Sequence, residues 1–312
     1  MHISEGILPV THSAGWFALA APFVWASARK IRCAQEENSE KVFVGMVTAL
    51  CFSVTLLPLP VPVVGATSHI CGTPFFSILR GPVFMALPAA VILLIQALFF
   101  SHGGLTSLGA NIFTLGVIGP FAAFYLFRCL RQFGFSEWVS VLASCFVADI
   151  LVYVADAFIL GAALGTSVSP IAVSKAILLG FAPVQLPLAL LEGFVSAVLY
   201  REIKKRNPSF LGPQKVSVRP PVSFGVLLSL VLSVLTISAC WGRNSFAADY
   251  VGIDDSVMAQ IARSHGKNAG PVFEWGSTEV TLFVFSLGNF LAGFWTGKGW
   301  SRLFNHGERN AS

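Results

Sequence analysis

Eight apolar runs constrain this chain more than any other feature. They are Ser13–Ala28, Val42–Leu57, Pro82–Phe100, Gly109–Phe127, Trp138–Ala162, Ile171–Tyr200, Val222–Trp241 and Thr278–Phe294. A helix needs ~20 apolar residues to cross a bilayer, with a usable range of ~17–25. Most of the runs meet that length, and the others come close to it. Charged residues make up only 11% of the 312, too few for the polar shell of a soluble domain, where the share is roughly 25%. The expected fold class is therefore all-α, a polytopic membrane helical bundle embedded in lipid.

The basic residues thread the runs through the membrane. Residues 1–12 hold no Lys or Arg, and the cluster Arg29, Lys30, Arg32 follows the first run. That order is the reverse of a secretory signal, so the first run is read as a retained helix with its N-terminus outside. Cytoplasmic loops are enriched in Lys and Arg. The clusters alternate correctly only if the short segment Thr73–Leu79 serves as an inward leg packed within protein. Sixteen of the 20 Lys and Arg then fall inside, and four (Lys175, Arg243, Arg263 and Lys267) fall outside. The result is a seven-leg module over 1–201 and a polar, proline-rich cytoplasmic linker over 202–221. A two-helix module follows over 222–312, with an external loop at 243–276. The expected location is the bacterial inner membrane, with the C-terminus cytoplasmic. The net charge of +5 is spread over short loops and is no nucleic-acid signal.

The chemistry opens the chain. Met1-His2 offers a terminal amine, the His2 amide nitrogen once deprotonated, and a His2 ring nitrogen. Together these close two fused chelate rings on one ion. A fourth nitrogen completes a square, the geometry that favours Ni(II) or Cu(II), whereas Ca²⁺ and Mg²⁺ want oxygen. The externally placed candidates for that fourth nitrogen are His12, His69, His102 and His265. Of these, His69 lies in a small-residue loop, Val64–Gly72, able to reach into the bundle. Ser68 accompanies it, and Cys71 offers a soft sulfur. His102 and Asn111 are read as outer contacts or residues lining the approach to the ion. The six cysteines include no Cys-x-x-Cys pair, no H-E-x-x-H is present, and 293–299 fails the phosphate-loop pattern. No enzyme activity is expected, and any ATP hydrolysis must occur on other chains. The rival reading is a proton-coupled secondary metal transporter, which requires buried carboxylates along a path. Asp149, Asp156 and Glu192 are its candidates.

Three motifs in order resemble the CbiM/NikM family of substrate-binding components of energy-coupling-factor cobalt and nickel transporters. They are Met1–Pro9, Gln96–Asn111 and Leu186–Gly193, and the resemblance covers about residues 1–200. It implies Co(II) or Ni(II) as transported substrate, held by the Met1 amine, the His2 amide and ring nitrogens, and the His69 ring. It implies as partners a transmembrane coupling protein and two ATPase subunits. Two positions depart from the family pattern, which often has an acidic residue where His102 stands and a histidine where Gln185 stands. The C-terminal module resembles the small CbiN/NikN partner subunit, so the chain looks like a fusion of the two.

Overall fold

A computed structural model describes residues 2–34, 38–57, 59–61, 66–100, 102–164, 169–207 and 298. All seven apolar segments expected before residue 201 are helical. They are α1 (Val10–Ala34), α2 (Asn38–Thr55), α3 (Thr73–Arg80), α4 (Ala86–Phe99), α5 (Leu108–Phe113) continuing into α6 (Gly119–Gln132), α7 (Glu137–Leu164) and α8 (Pro170–Arg206). A 3₁₀ turn, Pro82–Met85, leads into α4, and a π-helical turn, Thr114–Ile118, joins α5 to α6. One small hairpin interrupts the all-helical pattern. Its strands β1 (Leu59–Val61) and β2 (Ala66–Ser68) run antiparallel, with Leu59 opposite Ser68. The two-helix module expected over 222–312 and its 243–276 loop lie outside the described residues, Lys298 excepted.

Four stretches are long and apolar enough to cross a membrane: Pro82–Phe99, Leu108–Gln132, Glu137–Leu164 and Pro170–Arg206. The side chains are distributed as lipid requires. Leu179, Leu186, Leu190 and Phe194 of α8 face outward, while Gln185 and Glu192 of the same helix are buried. In water that arrangement would be inverted. The protein is a membrane protein.

The short leg is a true helix, and physical reasons confine it to eight residues. Gly72 (φ 71°) and Gly81 (φ 88°) bound α3 with backbone angles that side chains rarely adopt, and Pro74 sits in its first turn. Seven of its residues, Thr73 to Leu79, are buried, so it packs within protein as the threading requires. Its last residue, Arg80, lies with its guanidinium 4.5 Å over the Phe43 ring, and its carbonyl accepts from Lys30 Nζ at 2.6 Å. Two basic residues of the predicted cytoplasmic set thus meet at one end of the bundle.

Some helices outrun their apolar segments. α1 continues through Arg29, Lys30 and Arg32, good helix formers whose long stems let the charge reach water. α8 continues four residues beyond Glu202 into the expected linker. There Lys204 pairs with Glu137 of α7 at 2.6 Å. Close crossings rest on glycine. A Cβ on Gly193 would lie 2.6 Å from the Leu142 carbonyl oxygen of α7, and one on Gly109 would lie 2.4 Å from the Phe17 amide nitrogen of α1. Small residues of this kind let membrane helices approach.

Candidate metal centre

Residues 2–9 precede α1 and fold back into the bundle, where the loop between α4 and α5 holds them. Asn111 grips Ile3 at two points. Its Oδ1 accepts from the Ile3 amide at 2.9 Å, and its Nδ2 donates to the Ile3 carbonyl at 3.0 Å. The Ser107 hydroxyl donates to the same carbonyl. Further along, the Gly6 amide donates to Thr106 Oγ1 at 3.1 Å, and the Thr106 amide donates to Glu5 Oε2 at 3.1 Å. Gly104 packs so tightly that a Cβ there would lie 2.5 Å from Glu5 Cα. The motif Gln96–Asn111 is therefore a clasp for the N-terminal segment, and Asn111 is one of its main members.

That clasp delivers His2 to His69. Their ring centroids stand 4.4 Å apart. His69 follows directly on β2, and its Nδ1 lies 3.1 Å from the Ile70 carbonyl oxygen. A carbonyl only accepts, so Nδ1 carries the proton and Nε2 the lone pair, the tautomer suited to a metal ligand. His102 completes a trio, 4.6 Å from His2 and 5.4 Å from His69. One nitrogen of each ring lies within 4.8 Å of the others. His102, expected as an outer contact, thus stands nearly as near His2 as His69 does. Burial lowers the affinity of all three imidazoles for protons, and for His2 the neighbouring His69 and His102 add to this. His102 falls to about 4. Neutral rings with available lone pairs are the form that binds a divalent ion.

A second network braces the His69 loop from the far side. Glu192 of α8 accepts from the amides of Cys71 (2.8 Å) and Gly72 (2.9 Å). Asp149 of α7 accepts from the Cys71 thiol at 3.0 Å and from Gln185 Nε2 at 2.5 Å. The Ser68 hydroxyl donates to Gln185 Oε1. The Leu115 carbonyl, within the π-helical turn, accepts from the Thr73 hydroxyl at 2.7 Å. Cys71, Asp149 and Glu192 converge closely enough to hold an ion themselves. Their oxygens, however, are already occupied by N–H and S–H donors. The Cys71 thiol is also raised well above its ordinary range, by burial and then by Asp149 and Glu192, which keeps it from the thiolate form that binds metals. The group is a brace for the loop. Ser68 belongs to that brace.

Sequence reasoning did not assign this bracing role to Gln185, Asp149 and Glu192. Their partners are 36 to 121 residues distant along the chain. The usable signal was the presence of three buried polar groups on two otherwise apolar helices. Gln96 was also missed. It is fully buried beside His2, and its carbonyl accepts the His102 amide at 3.3 Å.

Residues 2–210 match the family described as the cobalt uptake substrate-specific transmembrane region, CbiM. The chain belongs to the CbiM family. Its CbiM relatives include a cobalt transport protein of Geobacter sulfurreducens, 34% identical over 97% of this chain and 90% of the relative. Another, from Sorangium cellulosum, is 38% identical over 68% of this chain and 94% of the relative. A third, from Pelobacter propionicus, is 40% identical over 68% and 94%. Two crystal structures share the CbiM-like fold. One, titled as a transition metal transporter, superposes with a TM-score of 0.59 at 24% identity, covering 66% of this chain and 93% of that one. The other, titled as a truncated transition metal transporter, gives 0.58 at 22%, covering 66% and 99%.

Proposed function

We propose that this chain is the substrate-capture subunit of an ATP-driven energy-coupling-factor importer for cobalt, with nickel as an alternative cargo. The ion is held by the Met1 amine, the His2 amide and ring nitrogens, and the His69 ring. The observation that carries this reading is the meeting of His2 and His69. They are 67 residues apart in sequence and 4.4 Å apart at their ring centroids, and their supporting segments are independently braced. A chelate depends on such preorganisation, because ligands already in place lose little freedom when the ion arrives.

Three further points support the reading. The matched family is described as a cobalt uptake region. The Geobacter relative, named a cobalt transport protein, aligns over 97% of this chain, including the stretch beyond residue 210. That alignment favours a C-terminal module working with the capture module in one polypeptide, as a CbiN/NikN-like fusion does. And of the three carboxylates that a proton-coupled carrier would draw on, Asp149 and Glu192 are engaged in holding the His69 loop. Energy would come from two ATPase subunits acting through a transmembrane coupling protein. The site would face outward, with the C-terminus in the cytoplasm of a bacterial inner membrane.

The decisive experiment measures Co(II) and Ni(II) affinity of the purified chain and three variants: His2→Ala, His69→Ala, and one residue added before Met1. All three variants are expected to lose binding. Retention of binding by the extended variant would remove the terminal amine from the ligand set. Metal uptake by vesicles carrying this chain without any ATPase would replace the ATP-driven reading with the proton-coupled one.

A further inference from the structure

We infer that His102 is an axial ligand to the captured ion and sets its preference for cobalt over nickel. The inference rests on the planar chelate of Met1, His2 and His69 proposed above. If those four nitrogens fill a plane, the only coordination direction left to a third imidazole lies along the axis of that plane.

The placement of His102 is specific. Its Nε2 is sealed from solvent and has no hydrogen-bond partner among the described residues. Buried ring nitrogens are nearly always satisfied, so an orphan on a ring 4.6 Å from that of His2 points to a missing partner. The His102 amide is tied to the Gln96 carbonyl at 3.3 Å, which fixes the start of the turn. The next residue, Gly103, has φ 81°, and the site of its absent Cβ lies 3.5 Å from His2 Cβ. The backbone thus bends where only glycine turns easily, and the bend sets the His102 ring edge-on to His2. One nitrogen of each of the three rings lies within 4.8 Å of the others. Nitrogens at right angles on one ion, with bonds of ~2.0–2.1 Å, stand about 3 Å apart, so the rings must draw together by up to about 2 Å to coordinate at once.

The chemistry gives that placement a consequence. For a fixed donor set, affinity rises from Co(II) to Ni(II), and a square of nitrogens suits Ni(II) especially well. A chain in a cobalt uptake family must offset that order. A fifth nitrogen does so, because Co(II) accepts a square pyramid readily, whereas Ni(II) loses part of its preference for the plane.

The test titrates the full chain, purified in detergent, with Co(II) and separately with Ni(II). Wild type is compared with His102→Gln and His102→Ala, and the electron paramagnetic resonance spectrum of the Co(II) form is recorded for each. Both variants should still bind metal, with the Ni(II)-to-Co(II) affinity ratio raised at least roughly tenfold, since even partners that only support a ligand usually contribute that much. The Co(II) spectrum should lose the coupling to one axial nitrogen. An unchanged ratio and spectrum overturn the inference. Loss of all binding, matching His2→Ala, also overturns it and makes His102 an equatorial ligand. Normal binding by His2→Ala and His69→Ala would instead sink the planar chelate itself, so the two failures are distinguishable.

Discussion

Gly104→Ala isolates the clasp on the N-terminal segment from the ligands themselves. A Cβ at residue 104 would stand 2.5 Å from Glu5 Cα and 2.6 Å from the Glu5 amide nitrogen. Non-bonded carbons settle at ~3.5–4.0 Å, so the segment must retreat by about 1 Å. Both contacts are backbone, and no rotamer relieves them. Overpacking of this kind costs about 1–3 kcal/mol. The strain is released by undocking residues 2–6, which carries His2 away from His69. At 1.4 kcal/mol per factor of ten, Co(II) affinity measured by isothermal titration should fall by roughly 5-fold to 150-fold. The fold of α1–α8 should persist, so the thermal midpoint without metal should change little, while the upward shift on adding metal should shrink. Gly45→Ala is the matched control. Nothing lies within 4 Å of its Cβ position, and alanine is the better helix former. Its metal affinity should equal that of wild type. Wild-type affinity in Gly104→Ala would refute the claim that a rigidly docked N-terminus forms the site.

Three other outcomes follow from the same geometry. Asn111→Ala strands the buried Ile3 amide, a loss of ~2 kcal/mol, and should weaken Co(II) binding about 30-fold in the same titration. Glu192→Gln leaves one acceptor oxygen for the two amides of Cys71 and Gly72. At ~1–3 kcal/mol for a stranded donor and ~2–4 °C per kcal/mol for a chain of this size, the thermal midpoint should fall by about 2–12 °C, read by scanning fluorimetry. Third, Co(II) affinity should rise with pH between 6 and 8, because the terminal amine, ordinarily near ~7.7–8.0, and the His2 amide both release protons on binding. Burial holds the His2, His69 and His102 imidazoles well below their usual range, so imidazoles alone would leave affinity flat between pH 6 and 8. A flat profile therefore counts against the chelate.

The bundle was largely legible, because hydropathy and basic clusters act over local stretches. The threading even required a leg at Thr73–Leu79, too short to span, and the structure supplies it as a buried helix. The hairpin Leu59–Ser68 and the π-helical turn at Thr114–Ile118 were not read. Neither has a period of its own, and both answer to packing around the site. His2 and His69 were legible from donor chemistry. The weight of His102 was not, because what matters is its 4.6 Å approach to His2, set by a glycine turn. Asp149 and Glu192 stand out in the sequence as buried charges, but not as a brace for the His69 loop. Only the fold shows that their oxygens face the backbone and thiol of the His69 loop.

The brace from Glu192 to Cys71 and Gly72 spans about 120 residues. During synthesis, His2, His69 and His102 all exist well before the carboxylate that steadies their loop. A nascent chain therefore carries the three histidines before the acceptor that holds the His69 loop in place. The geometry of the His69 loop is thus completed only when α8 has been made.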